Sequence, residues 1–125
     1  MKDYPKLIRL IERETGMRFK VKPKIYSNYK PNFSKGWNCC KWVMDDRGNI
    51  KYTKATVYVS GYKTKKLKEK YPRLRILIHE LIENLWIQNH IKTEKDANNP
   101  KMFKRAHNYA KLWEKRIMKK FMESK

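Results

Sequence analysis

A chain of 125 residues suits one domain with one modest core, and 40% hydrophobic with 13% aromatic residues excludes a disordered tail. Its 32 Lys+Arg against 12 Asp+Glu, a net charge of +20, invites an anionic partner such as nucleic acid, although the same Lys-rich mixture also arises from an AT-rich genome or from growth at high temperature. No apolar run approaches the ~18–20 residues that span a bilayer, so no membrane partner is expected. The opening residues, MKDYPKLIRLIERETG, carry acidic groups inside their apolar pattern and no small-residue cleavage site. They do not read as a signal peptide, and a cytoplasmic setting is expected.

In chain order, residues 4–15 are expected to form a helix. Asp3 can cap it, Pro5 suits its first turn, Leu7, Ile8, Leu10 and Ile11 form an apolar stripe, and Gly16 can end it. MRFKVKPKIY then alternates: Met17, Phe19, Val21 and Ile25 point one way, Arg18, Lys20, Lys22 and Lys24 the other. That is the pattern of a half-buried strand, and Pro23 suggests a sheet edge. SNYKPNFSKG, residues 27–36, reads as a loop. WNCCKWVM and NIKYTKATVYVS flank DDRG as the arms and turn of a hairpin.

The adjacent Cys39 and Cys40 cannot form an ordinary disulfide, because neighbours on a strand face opposite ways. One inward and one outward thiol is the expectation, with a soft-metal role as the alternative. GYKTKKLKEKY is a Lys-dense connector, Pro72 can open a helix reaching about His90, and residues 91–99 form a polar loop. Asn99 can cap and Pro100 can open a last helix, with Ala106, Ala110, Trp113, Ile117 and Phe121 at helical spacing. With no internal repeat and no boundary, residues 1–125 read as a single α+β domain. Its order is an N-terminal helix, a small, mainly antiparallel sheet of three to four strands, a motif helix and a C-terminal helix.

The chemistry concentrates in ILIHELIENLW, residues 76–86, where an oily segment carries His79, Glu80 and Glu83. Charges leave water only at a cost unless something pairs with them. His79 and Glu83 are four apart and share a helix face, with Glu80 at its edge. Metal ligands at i and i+4 with a Glu at i+1 form the arrangement of the HExxH zinc hydrolases, here written HExxE, and a carboxylate is a legitimate zinc ligand. A catalytic zinc needs a third protein ligand. His107, about two turns into the last helix, can supply it if the last two helices pack antiparallel. Glu114, on the same face as His107, is a competitor, as are Glu94 in the loop and His90 if its helix breaks sharply.

In this order of elements and in the segment HELIE, the chain resembles the zincin metallopeptidases. It is most similar to their smallest members, the minigluzincins, and more loosely to the ImmA/IrrE group. The resemblance spans residues 3–120 in architecture and only HELIE in motif. It implies a zinc-dependent peptidase in which His79 is the first ligand, Glu83 stands where the family has its second His, and Glu80 activates water. It also implies a sheet edge that aligns a peptide or protein substrate. EKDAN resembles the family's acidic third-ligand segment, which would make Glu94, with Asn98, the completing residue.

Other readings remain beside this one. A zincin-like fold without activity is the first. A nucleic-acid-binding module is the second, gripping phosphates with Lys63, Lys65, Lys66 and Lys68 and the Lys face of residues 17–25, and stacking bases on Tyr26, Tyr29 and Trp37. No named nucleic-acid motif is present. A small ribonuclease using His and Glu without metal is the third. The sequence leaves the oligomeric state open.

Overall fold

The computed structural model describes residues 4–29, 36–60 and 72–124. Within them the elements follow in the order α1 (Tyr4–Thr15), β1 (Lys24–Tyr29), β2 (Trp37–Met44), β3 (Ile50–Ser60), α2 (Pro72–His90), α3 (Glu94–Ala97) and α4 (Pro100–Glu123). This is the expected α+β order. The sheet runs β1-β3-β2. The antiparallel β2–β3 hairpin forms the longer ladder, and β1 lies parallel to β3 on its other side. The hairpin turn is built as its residues dictate. Asp45 Oδ1 accepts from the backbone N–H of Arg47 and of Asn49, both at 2.9 Å, and Gly48 takes the left-handed φ of +78° that a side chain would disfavour.

Two local readings need correction. The strand expected from residue 17 begins only at Lys24, and it continues through residues 27–29, which the sequence reads as loop. The in–out alternation of residues 17–25 nevertheless holds: Phe19 is buried while Arg18, Lys20, Lys22 and Lys24 are exposed. What differs is the partner of the backbone. Gln88 Oε1 accepts from Lys20 N–H (2.8 Å) and Val21 N–H (3.0 Å), and Gln88 Nε2 donates to Val21 C=O (2.9 Å). Asn89 reaches Arg18 C=O, and Glu12 accepts from Phe19 N–H. Helix side chains thus satisfy an extended segment that alternation assigns to a sheet. The second correction is at 91–99, where Thr93 and Asp96 close a reciprocal capping box around the one-turn α3.

Helix α2 is the centre of the molecule. Ile78, Leu81, Ile82 and Leu85 are fully buried. One side packs on Val57 and Val59 of β3, and others meet Leu7 and Ile11 of α1 and Ala110, Ile117 and Phe121 of α4. Contacts from Arg75 and His79 to Glu114, and from Glu83 to His107, show that α2 and α4 run antiparallel. Asn99 caps α4, with Pro100 in its first turn, as the sequence indicates.

A helix buried nearly all round must still place its polar groups. Among the described residues, no buried side-chain nitrogen or oxygen lacks a partner. Gln88, fully buried, uses both ends of its amide, linking α2 to residues 20–21 and to Asn84. Replacing Gln88 by Leu strands three backbone groups and the side-chain oxygen Oδ1 of Asn84. The expected loss is roughly 3–5 kcal/mol, read from the shift in urea denaturation midpoint. A loss below about 1 kcal/mol would show that water takes over the amide's bonds.

Candidate metal centre

His79 and Glu83 project from one face of α2 toward α4, and His107 meets them from the first turns of α4. His79 Nε2 lies 3.2 Å from Glu83 Oε2 and 3.2 Å from His107 Nδ1. His107 Nδ1 lies 3.3 Å from the same Glu83 oxygen. These three atoms form a nearly equilateral triangle, and the group could hold a metal ion. His79 and Glu83 are mostly enclosed, with side chains 16% and 20% exposed, whereas the His107 side chain is 49% exposed. The triangle therefore opens to solvent on the α4 side.

Behind His79 stands a second carboxylate. His79 Nδ1 donates to Glu114 Oε2 at 2.8 Å, and Arg75 Nη2 donates to Glu114 Oε1 at 3.3 Å. This relay turns Nε2 of His79 toward the triangle and fixes the ring. Histidines that ligate metals commonly have such a carboxylate on their other nitrogen. Glu114 is thus placed as an orienting group and not as a third corner.

The two motif carboxylates are driven apart in acidity. Burial, then the Glu83 charge, pushes the Glu80 carboxyl up to about 7 against the opposing Asn38 hydrogen bond. Burial would raise Glu83 too, but the hydrogen bond and charge of His79, with His107 and Asn38, outweigh it and lower its pKa. His79 is raised, first by its hydrogen bond to Glu83, against burial and with help from Glu114. Glu83 is therefore an anion at neutral pH, and Glu80 is poised to take or give a proton.

Asn38 of β2 joins the two. Its Nδ2 lies 3.1 Å from Glu80 Oε1 and 3.3 Å from Glu83 Oε1. Asn84 holds Asn38 in turn, with Nδ2 at 3.3 Å from Asn38 Oδ1. The chain enters β2 through Gly36, where a Cβ would stand 2.6 Å from Glu80 Cγ and 2.6 Å from Ile76 Cγ2. Only glycine lets this strand lie so close over Glu80. Asn84 Nδ2 also reaches Cys40 Sγ at 3.2 Å. Burial pushes the Cys40 thiol up to about 12, and both cysteines are free and half-buried. Cys40 packs against the core while Cys39, its neighbour on the strand, faces the other way.

Of the competing third ligands, His107 reaches the triangle and two others do not. His90 is spent locally: its ring stacks on Trp86 at 4.2 Å, and Nδ1 donates to Trp86 C=O. α2 runs unbroken to His90, so the sharp break it needed is absent. Glu94 is exposed in the first turn of α3 and takes no part in the group. The acidic segment EKDAN serves a capped helical turn instead. Sequence reasoning missed Asn38, Asn84 and Gln88. The signal was present on α2, where Glu80, Asn84 and Gln88 repeat every four residues inside an apolar helix, tracing one polar stripe. Lys63, Lys65, Lys66 and Lys68 lie outside the described residues. Tyr26 and Trp37 are exposed and stack on either side of Tyr58, at 5.3 and 4.9 Å between ring centroids.

Among the described residues, no helix is long and apolar enough to cross a membrane. Comparison with family models, with curated proteins and with solved structures returned no match.

Proposed function

We propose that this chain is a zinc-dependent peptidase of the zincin type, with His79, Glu83 and His107 as ligands and Glu80 as the general base. The triangle of donor atoms carries the reading. Zinc binds His nitrogen and carboxylate oxygen at about 2.0–2.2 Å, and a regular tetrahedron of that size has edges of about 3.3–3.6 Å, so a triangle of donors needs to open only slightly to take the ion. The observed separations are 3.2, 3.2 and 3.3 Å. Three protein ligands with one corner toward solvent is the plan of a catalytic zinc, not a structural one. Two His and one carboxylate form a common catalytic set, with Glu and His exchanged relative to HExxH.

The chain's own residues support hydrolysis. Bound zinc would polarise a scissile carbonyl and make water acidic. Glu80, held by Asn38 beside Glu83, takes a proton from the attacking water and returns it to the leaving amine. β2 is the edge of the described sheet nearest the centre, and its outer side offers backbone groups to an extended peptide. The resemblance in HELIE points to the peptide bond as substrate.

Metal content tests the core of this reading. Protein freed of any purification tag and prepared without chelator is expected to carry close to one zinc per chain by elemental analysis, and His79→Ala to carry none. Wild-type protein that neither retains zinc nor takes it up at micromolar concentration would leave only a metal-free ion cluster, His79 clasped between Glu83 and Glu114.

A further inference from the structure

A second built surface lies on α1, away from the metal ligands. Arg9, Arg13, Arg18 and Lys22 line a concavity of about 620 Å³ between the outer face of α1 and the segment that follows it. Its carboxylate, Glu12, is engaged with Phe19 N–H at 2.8 Å. Among the described residues, no carboxylate pairs with Arg9, Arg18 or Lys22. Arg13 touches Glu14 only at 3.9 Å and is 74% exposed, and Glu14 is already bound to Lys120. Arg9 and Arg13 also wall a neighbouring concavity of about 460 Å³. Its other charged residues are Lys6, which donates to Ser124 C=O, Lys120, which is paired with Glu14, and Glu123, so Arg9 and the loosely held Arg13 are its available cations.

Composition does not account for this cluster. The chain has 24 lysines and eight arginines, so a basic surface arising from lysine enrichment would be mostly lysine. In the larger concavity three of the four cations are arginine. Its planar fork binds phosphate oxygens in pairs, which an ammonium cannot do. Lys6, Arg9 and Arg13 repeat at i, i+3 and i+7, spacing their charges about 4.5 and 6 Å along the helix axis. Two concavities sharing one cationic wall form a track longer than a single phosphate needs. A flat anionic membrane fits such hollows poorly, and the apolar face of α1 is already buried in the core and cannot insert.

We propose that this track binds the phosphate backbone of a nucleic acid, independently of the metal centre. Contacts of this kind position a strand without reading its bases, so binding is sequence-tolerant. The test must separate a built site from the general attraction of a +20 chain. Labelled 20-nucleotide single strands and duplexes are titrated by anisotropy from 50 to 300 mM salt. The combined variant Arg9→Gln, Arg13→Gln, Arg18→Gln is compared with Lys101→Gln, Lys104→Gln, Lys111→Gln, which removes equal charge from exposed positions of α4.

The arginine variant is expected to flatten the log–log salt slope by about 2 on single strands and nearly 3 on duplex, and to weaken binding at least tenfold at 150 mM salt. The lysine variant should change affinity less than threefold. Changing the same three arginines to Lys keeps charge and fold. It should retain the slope while weakening binding several-fold, and it decides the matter if the Gln variant does not fold. Equal weakening by the two Gln variants would overturn the proposal. So would displacement of the oligonucleotide by tripolyphosphate, or by phosphatidylserine vesicles, at matched phosphate concentration.

Discussion

Replacing Glu80 by Gln is expected to abolish hydrolysis and to stabilise the fold. A general base contributes typically 10²–10⁴ in rate, and the amide cannot accept the proton. Peptide-library cleavage by the zinc-loaded variant should therefore fall by about that factor, while zinc content stays at the wild-type level. The stability gain follows from linkage. The Glu80 carboxyl is raised from 4.5 to about 7 in the folded protein. As pH rises from 4.5 to 7, the unfolded chain gives up a proton that the folded one retains, so stability falls through that window and stays low above it.

Gln resembles the protonated acid and can keep the Asn38 hydrogen bond. In chelated protein at pH 8 the variant should be more stable than wild type by on the order of 3 kcal/mol, read from urea denaturation. Residues kept for chemistry at a cost in stability show this pairing. Equal cleavage by variant and wild type would end the peptidase reading. Loss of zinc from the variant would make Glu80 a ligand.

The second large effect is opposite pH dependence with and without metal. His79 is raised above its ordinary 6.5 by Glu83 and Glu114. Its stabilising charge is fully present below 6.5 and is lost as pH rises through the folded value. Glu80 acts in the same direction between 4.5 and about 7. The lowered pKa of Glu83 contributes stability that is lost only on acidification through its folded value. The groups facing His79 are Glu80 and Glu83 on its own helix and Glu114 and His107 from α4.

Chelated protein should therefore lose stability from about pH 6 to pH 8. Zinc competes with protons for the same nitrogens, so its stabilisation should grow over that interval. At a zinc concentration 100 times its Kd the gain is about 2.7 kcal/mol. Thermal melts with chelator and with zinc, at pH 6 and pH 8, give four numbers whose crossing tests the idea. If zinc leaves the melt at pH 8 unchanged, the cluster is structural, His79 held between the carboxylates of Glu83 and Glu114.

Much of the molecule is local and was legible in the chain. α1 and α4 show their buried stripes at helical spacing, Gly16 and Asn99–Pro100 set helix ends through backbone preferences, and DDRG forms its turn from its own hydrogen bonds. HELIE placed His79 and Glu83 on one helix face, because four residues make about one turn. The in–out order of residues 17–25 was legible too, since it reflects burial. What paired with their backbone was not, because an extended chain has the same alternation whether a strand or a Gln side chain satisfies it.

The centre needed the tertiary fold. His107 is 24 residues beyond Glu83, and only the antiparallel packing of α4 on α2 chose it over His90 and Glu94. The same packing put Glu114 behind His79, a role that spacing could not separate from that of ligand. Asn38 comes from another layer, carried over Glu80 by a strand that Gly36 allows to approach. The arginine track likewise joins a helix to the segment that folds back beside it. Residue types and local spacing settle which groups can do chemistry. Long-range packing settles which of them meet, because the distance between two side chains depends on every element between them.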